Sequence, residues 1–169
     1  VEYPAVSNGL VSWWRFDETS GTTASPSTGE HNGTLNSPAS FGSGKFGNAV
    51  VLTGATGSRV TFPAAAGNLG KTFSISLWAK WGNAADVANW SRLITNKPSD
   101  GASTGWNIYA SNNDAYLRMQ GTGSRFANQA VTSDWKNGNW VHLVTAIDNE
   151  MVSTYADGSF IGTDDITPV

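Results

Sequence analysis

Hydrophobic and polar residues alternate most clearly along Phe73–Trp81, where the sequence reads FSISLWAKW. Side chains alternate between the two faces of a β-strand, so this pattern predicts a strand with one face in a core. Trp78 is the exception, because it is a large aromatic residue at one of the polar positions. The predicted core face consists of Phe73, Ile75, Leu77, Ala79 and Trp81.

Similar alternation elsewhere predicts further short strands, and Gly, Asn and Ser residues cluster between them. Leu10–Asp17 is the first predicted strand along the chain, and Asn139–Asp148 is the second long one. No stretch shows the apolar periodicity of a helix. This pattern predicts an all-β, two-sheet antiparallel β-sandwich or jelly roll. The other predicted strands are Ala49–Thr53, Ser58–Phe62, Ser91–Asn96, Trp106–Ala110, Ala115–Gln120, Asn128–Val131, Val152–Ala156 and Ser159–Thr163.

Turn sequences predict which of these strands pair. The Asp157-Gly158 dipeptide is typical of a two-residue β-hairpin, and Ser111–Asp114 is a suitable four-residue turn. Gly54–Gly57 is predicted to join the strands on either side of it into another hairpin. Glu18–Ser40 is predicted to be a long polar loop, a feature that is usually functional, metal-bound or mobile.

The composition narrows the class of protein. The chain of 169 residues fits one domain, which we place at 9–169 after a lead-in or linker, Val1–Asn8. A net charge of −3 gives no basic surface for nucleic acid, and no apolar run reaches membrane-spanning length. Because cysteine is absent, disulfides and Cys-based zinc sites are excluded. The eight tryptophans fit either core packing or the stacking of sugar rings.

Five segments, GLVSWWRFDETSGTTA, GKFGNAVVLTG, FSISLWAKW, NWVHLVTAID and YADGSFIGT, follow one another in order across Gly9–Thr163. Together they resemble the laminin-G-like, concanavalin-A-like jelly-roll family of bacterial secreted proteins. The resemblance implies two packed antiparallel sheets, one convex and one concave, and a secreted or cell-surface location. It leaves the function open, because this fold carries lectins, carbohydrate-binding modules, adhesion domains and glycanases.

The resemblance also implies a structural calcium ion in the long first loop, although one ligand differs. Family members carry an aspartate in a D-x-x-G context where this chain has Pro26–Gly29. Glu30, Asn32 and backbone carbonyls are the expected substitutes, since calcium accepts six to eight oxygen ligands in loose geometry.

Family members continue beyond the YADGSFIGT hairpin with two more strands, whereas this sequence stops at Val169. We therefore expect an open sheet edge, to which a second chain or a further segment supplies the closing strands.

No pattern of catalytic residues is evident. Glycanases of this fold need two carboxylates on one face, about 5–5.5 Å or about 6.5–9.5 Å apart. The pairs Asp17-Glu18 and Asp164-Asp165 are adjacent, and adjacent strand residues face opposite ways. His142 is interpreted as a hydrogen-bonded structural residue rather than a base, because no nucleophile motif accompanies it.

The outward positions of the predicted strands supply candidate ligand-binding residues. An aromatic platform surrounded by Arg, Gln and His suits a sugar. The apolar face of the sugar ring stacks on the aromatic groups, and its hydroxyls form hydrogen bonds with the planar polar groups. Alternatively, a loop covers this face and Trp78 packs beneath it. The expected site consists of Trp78, Tyr109, Tyr116, Arg118, Gln120 and His142, with Trp90 and Trp106 as a second site at the rim.

These observations favour a non-catalytic, lectin-like module that binds a poly- or oligosaccharide as part of a larger secreted or cell-surface protein that processes polysaccharides. Two alternatives remain open. One is an adhesion or assembly domain that binds protein through the open sheet edge. The other is an enzyme of the same fold, either a glycoside hydrolase or a polysaccharide lyase.

Overall fold

The computed structural model of the chain describes residues 8–81, 91–97, 106–110, 116–120, 126–130, 138–149 and 151–165. The chain divides into two compact units, Val1–Asn68 (unit 1) and Leu69–Val169 (unit 2). The described residues form thirteen β-strands and one short 3-10 helix, and the strand pairs among them are antiparallel. Within the ranges given above, no helix has the length and hydrophobicity needed to cross a membrane.

Unit 1 contains two small sheets. The first has the strand order β1-β2-β5, and the second is a hairpin of β3 and β4. A short 3-10 helix, Ala64–Gly67, follows the last strand. Ala24 and Leu35 are the buried hydrophobic residues described in this unit. The strands are β1 (Thr23–Ala24), β2 (Gly33–Asn36), β3 (Ser40–Ser43), β4 (Asn48–Val51) and β5 (Arg59–Thr61).

The pairing predicted around Gly54–Gly57 is wrong, although both strands exist. β4 pairs with β3, and β5 pairs with β2, so the two strands belong to different sheets. The reason is a tighter turn just before β4, in which the Gly44 N–H donates to the Gly47 carbonyl oxygen at 2.9 Å. The predicted polar loop Glu18–Ser40 also differs, because it contains β1 and β2.

The strand predicted at Leu10–Asp17 is absent, and Trp13 alone forms an isolated bridge there. Phe16 has a φ of 58°, in the left-handed region, which interrupts an extended backbone. Trp14 instead packs on Phe62, with 4.5 Å between the ring centroids. The alternation in this segment therefore reflects aromatic packing rather than strand pairing.

The part of unit 2 that the structure describes forms two four-stranded antiparallel sheets. The first, here called the β6 sheet, has the order β13-β12-β11-β6, and the second, the β8 sheet, has the order β10-β9-β8-β7. All the strands predicted for this part of the sequence are confirmed to within a few residues. They are β6 (Thr72–Ala79), β7 (Ser91–Thr95), β8 (Asn107–Ala110), β9 (Tyr116–Gln120), β10 (Phe126–Ala130), β11 (Val141–Asp148), β12 (Met151–Ala156) and β13 (Ser159–Asp165).

One hydrophobic core joins these two sheets, which confirms the predicted β-sandwich. Along β11 every second residue is buried, and β12 alternates in the same way. The β8 sheet contributes Ile108, which is 2% exposed. Phe73, Ile75 and Leu77 pack against this core, as predicted for one face of β6. The buried members are Ala79, Trp106, Ile108, Val141, Leu143, Ile147, Val152 and Ala156.

The hairpin between β12 and β13 is also confirmed. Asp157 and Gly158 both have positive φ, 47° and 79°, as a type I′ turn requires. Within the described residues, β13 and β6 border their sheet, with no strand paired on their outer sides. The supply of closing strands by another segment stays a prediction.

Candidate functional site

Trp78 lies at the C-terminal end of β6, on the face of the β6 sheet that points away from the core. Its side chain is 39% exposed. Its neighbours along this face, Ser74 and Ser76, are small and polar. Its cross-strand partner on β11 is His142. The two side chains meet because residues directly opposite on paired strands lie on the same face.

The rings of Trp78 and His142 are stacked. Their centroids are 5.0 Å apart and their planes differ by 27°. A hydrogen bond between His142 Nε2 and Ser76 Oγ, 2.8 Å apart, fixes the edge of the imidazole. Which of the two atoms donates depends on the histidine tautomer. The hydrogen-bonded imidazole of His142 therefore supports the exposed indole of Trp78, and the pair presents a fixed aromatic surface. The interpretation of His142 as a hydrogen-bonded residue is confirmed.

The backbone at this end of β11 is fixed by the β12–β13 turn. The His142 N–H donates to Asp157 Oδ1 at 2.9 Å, and the Asp157 N–H donates to the His142 carbonyl oxygen at 2.8 Å. Asp157 thus connects the turn to the strand that carries the imidazole. The position of the Trp78–His142 pair depends on this turn as well as on the sheet.

Asp157→Ala is expected to lower the free energy of unfolding by about 1–2 kcal/mol, because alanine at positive φ is strained and the bond to the His142 N–H is lost. Asp157→Asn keeps an acceptor oxygen and tolerates this backbone, so its effect should stay within about 0.5 kcal/mol. Equilibrium denaturation in urea measures both. Equal losses in the two variants would show that the carboxylate charge, rather than the turn geometry, stabilises this end of the sheet.

A second aromatic pair lies on the same outward face. Tyr155 on β12 and Phe160 on β13 are register partners, and Tyr155 pairs on its other side with Val144 of β11. The two ring centroids are 5.4 Å apart with an interplanar angle of 59°. Phe160 is 59% exposed, the largest value among the aromatic residues described in unit 2. The sequence-based site omitted both residues.

The strands that carry the expected platform belong to two different sheets, and the structure does not bring its members together in one sheet. Trp78 and His142 are on the β6 sheet, whereas Tyr109 is on β8 and Tyr116, Arg118 and Gln120 are on β9, in the β8 sheet. Tyr109 and Arg118 are register partners there. The side chains of these four residues lie outside what the structure describes.

The second predicted site, at the rim, is not formed as expected. Trp106 is 9% exposed and belongs to the core, where its ring centroid is 5.4 Å from that of Phe73. It therefore packs between the sheets instead of lining a rim. Trp90 lies outside the described residues.

The loop residues predicted to hold calcium are both exposed. Glu30 and Asn32 flank His31, whose backbone oxygen accepts a hydrogen bond from the Trp14 indole at 2.8 Å. Nowhere in the described ranges do three or more Asp, Glu or His side chains come together as a metal-binding group. Calcium binding therefore stays a prediction from the resemblance.

The adjacent carboxylates Asp17 and Glu18 serve as anchors in unit 1. Asp17 Oδ2 forms an ion pair with Arg15 at 2.8 Å, and Glu18 Oε1 accepts a hydrogen bond from the Ser25 N–H at 2.7 Å. They border an open cavity of about 370 Å³. Their carboxylates are thus engaged with different partners.

Comparisons with known proteins agree with the fold described above. The family model for the concanavalin A-like lectin/glucanase superfamily matches residues 52–169. Domain 4 of AbnA, a GH43 extracellular arabinanase from Geobacillus stearothermophilus, has a similar structure, solved in complex with arabinotriose. The TM-score is 0.60 at 20% sequence identity, over 94% of this chain and 75% of that one. No curated protein matches the sequence.

Proposed function

The chain belongs to the concanavalin A-like lectin/glucanase superfamily, and from that premise we propose that it is a non-catalytic carbohydrate-binding module. The observation that carries this proposal is the exposed Trp78, stacked on the hydrogen-bonded ring of His142. The similar domain of the arabinanase binds arabinotriose, which supports an oligosaccharide as the class of ligand.

Binding would use the indole of Trp78 as a stacking surface. The C–H face of a sugar ring is apolar, so placing it on the indole removes apolar area of both partners from water. His142 limits the movement of the indole, and less conformational entropy is then lost on binding. Asp157 and Ser76 lie beside the pair and offer oxygen atoms to sugar hydroxyls. Binding of this kind involves no covalent step.

We also propose that the module belongs to a larger extracellular protein that processes polysaccharides. The domain of similar structure comes from an extracellular arabinanase, in which it is one domain among others. A binding module of this kind would hold the parent protein on its polymeric substrate, which raises the effective concentration of substrate at a tethered site.

Trp78→Ala is expected to weaken binding of arabinotriose by about tenfold or more, the cost of losing an interaction of at least 1.4 kcal/mol. The stacking surface disappears, while the hydrogen bond between Ser76 and His142 can remain. Isothermal titration calorimetry with the purified chain measures the dissociation constant. A glycan array run in parallel shows whether another oligosaccharide binds more tightly.

Trp13→Ala is the matched control. Trp13 is 48% exposed, lies in unit 1 and has the Arg15 guanidinium 5.6 Å from its ring centroid. This variant should bind as the unmodified chain does. Equal binding by the Trp78→Ala variant would contradict the proposed site, and hydrolysis of arabinotriose during the titration would indicate a glycanase instead. Absence of binding to any sugar on the array would favour a protein partner.

A further inference from the structure

The two aromatic pairs of the β6 sheet occupy neighbouring rows of one face. Trp78 and His142 form the first row. The second row lies two residues further along β11 and consists of Ser76, Val144, Tyr155 and Phe160. The face thus carries aromatic groups at both of its edge strands, β6 and β13.

The spacing of these pairs follows from sheet geometry. Trp78 and Phe160 are separated by three strand intervals of about 4.8 Å and by one two-residue step of about 7 Å along the strands, which places their Cα atoms about 16 Å apart. Tyr155 is nearer, about 12 Å from Trp78 by the same reasoning. Aromatic stacking contacts have ring centroids about 4.5–7 Å apart, which is shorter than either of these Cα separations, so the two pairs are expected to contact different sugar rings.

The surface between the two pairs is uncharged. The outward residues that separate them are Ser76 and Val144, one small and polar and the other aliphatic. The nearest carboxylate described is that of Asp157, in the turn at the end of the first row. Within this strip an acidic sugar would lose hydration without gaining a cationic partner, because the exposed Lys80 is two residues after Trp78 and lies beyond the strip. The strip between the two pairs therefore favours a neutral chain.

We propose that this face binds a neutral oligosaccharide that runs across the strands, from Trp78 to a second subsite formed by Tyr155 and Phe160. The inference rests on the proposed function and extends it, because it specifies chain length and charge. Two subsites on one ligand make the second contact intramolecular, so affinity rises with chain length once the ligand spans both. A ligand too short to reach Phe160 gains nothing from the second pair.

The test is a titration series with arabinobiose, arabinotriose, arabinotetraose, arabinopentaose and arabinohexaose. For the unmodified chain, affinity should increase by about tenfold or more between the shortest and the longest member. Phe160→Ala should remove this increase and leave binding of arabinobiose unchanged, whereas Phe160→Tyr should restore it. Galacturonic acid oligomers of equal length, with one carboxylate on each sugar, should bind at least about tenfold more weakly.

Phe46→Ala is the control, because Phe46 is 56% exposed and lies in unit 1. It should follow the length dependence of the unmodified chain, and circular dichroism should show the same fold in all variants. Binding of arabinotriose that is lost in Trp78→Ala but has no dependence on length or on Phe160 would overturn the second subsite and leave the proposed function intact. Failure of every member to bind the unmodified chain would overturn both, and equal binding of the acidic oligomers would overturn the preference for a neutral chain.

Discussion

Leu143→Ala is expected to lower the free energy of unfolding of unit 2 by about 2–5 kcal/mol. Leu143 is 2% exposed at the middle of the sandwich core, opposite Leu77 on β6 and Ala156 on β12. Removal of its side chain leaves a cavity between the two sheets, and the closely packed residues around the cavity cannot move far enough to fill it. Guanidinium denaturation, followed by circular dichroism, measures the loss.

Val144→Ala provides the comparison, because Val144 is the next residue on β11 and lies on the outward face. Its replacement should change stability by no more than about 1 kcal/mol, the span of the β-propensity scale. Similar losses in both variants would mean that both faces of β11 are buried to the same extent, which would contradict the described sheet.

The strands of the sandwich could be predicted because each buries only one face. A strand with a core face must alternate between apolar and other residues, and a shift by one residue would turn its whole apolar set to solvent. Phe73, Ile75 and Leu77 on β6 follow this rule, and so do the buried residues of β11. The Asp157-Gly158 turn also predicted the pairing of β12 with β13, because a two-residue turn determines the register of the strands that it joins.

Pairing over longer distances could not be obtained from the same pattern. Alternation indicates which face of a strand a residue occupies, but it does not indicate which other strand pairs with that strand. β4 and β5 were therefore correctly located but wrongly paired. Leu10–Asp17 failed for a different reason, because the positive φ of Phe16 interrupts a segment whose alternation looks like that of a strand.

The candidate site shows the same division. Trp78 was recognised from its position among serines, and His142 from its outward position on β11. Their contact depends on the pairing of β6 with β11, which the sequence did not specify. Tyr109 was assigned to the same surface because period-two reasoning cannot assign strands to one sheet or the other. The sequence-based site does not include Phe160, although this residue lies just beyond the Asp157-Gly158 turn, at an outward position of the edge strand β13.

Unit 1 offers the second large expected effect, at Gly47. This residue has a φ of 69°, and a Cβ atom added to it would overlap the Asp17 carboxylate. Asp17 Oδ1 accepts a hydrogen bond from the Asn48 N–H at 3.1 Å, which anchors the first residue of β4. Gly47→Ala should therefore cost about 1–2 kcal/mol for backbone strain and about 1.5–3 kcal/mol for the lost bond to a charged acceptor.

Gly54→Ala separates these two contributions. Gly54 has a similar φ of 75°, but no atom lies within 4 Å of the position its Cβ would occupy. It should therefore show the backbone strain alone, about 1–2 kcal/mol. Urea denaturation of both variants gives the difference, and equal losses would show that the Asp17 carboxylate moves aside at no cost.

A double-mutant cycle then assigns the difference to the carboxylate itself. Asp17→Ala removes both the acceptor and the steric overlap, so adding Gly47→Ala to it should cost only the backbone strain measured at Gly54. The sum of the stability losses in the two single variants would then exceed the loss in the double variant by about 1.5–3 kcal/mol, which is the contribution of the anchoring hydrogen bond. Simple additivity would mean that Gly47 and Asp17 stabilise unit 1 independently, and the hairpin of β3 and β4 would then be held by its own turn rather than by the segment that contains Asp17.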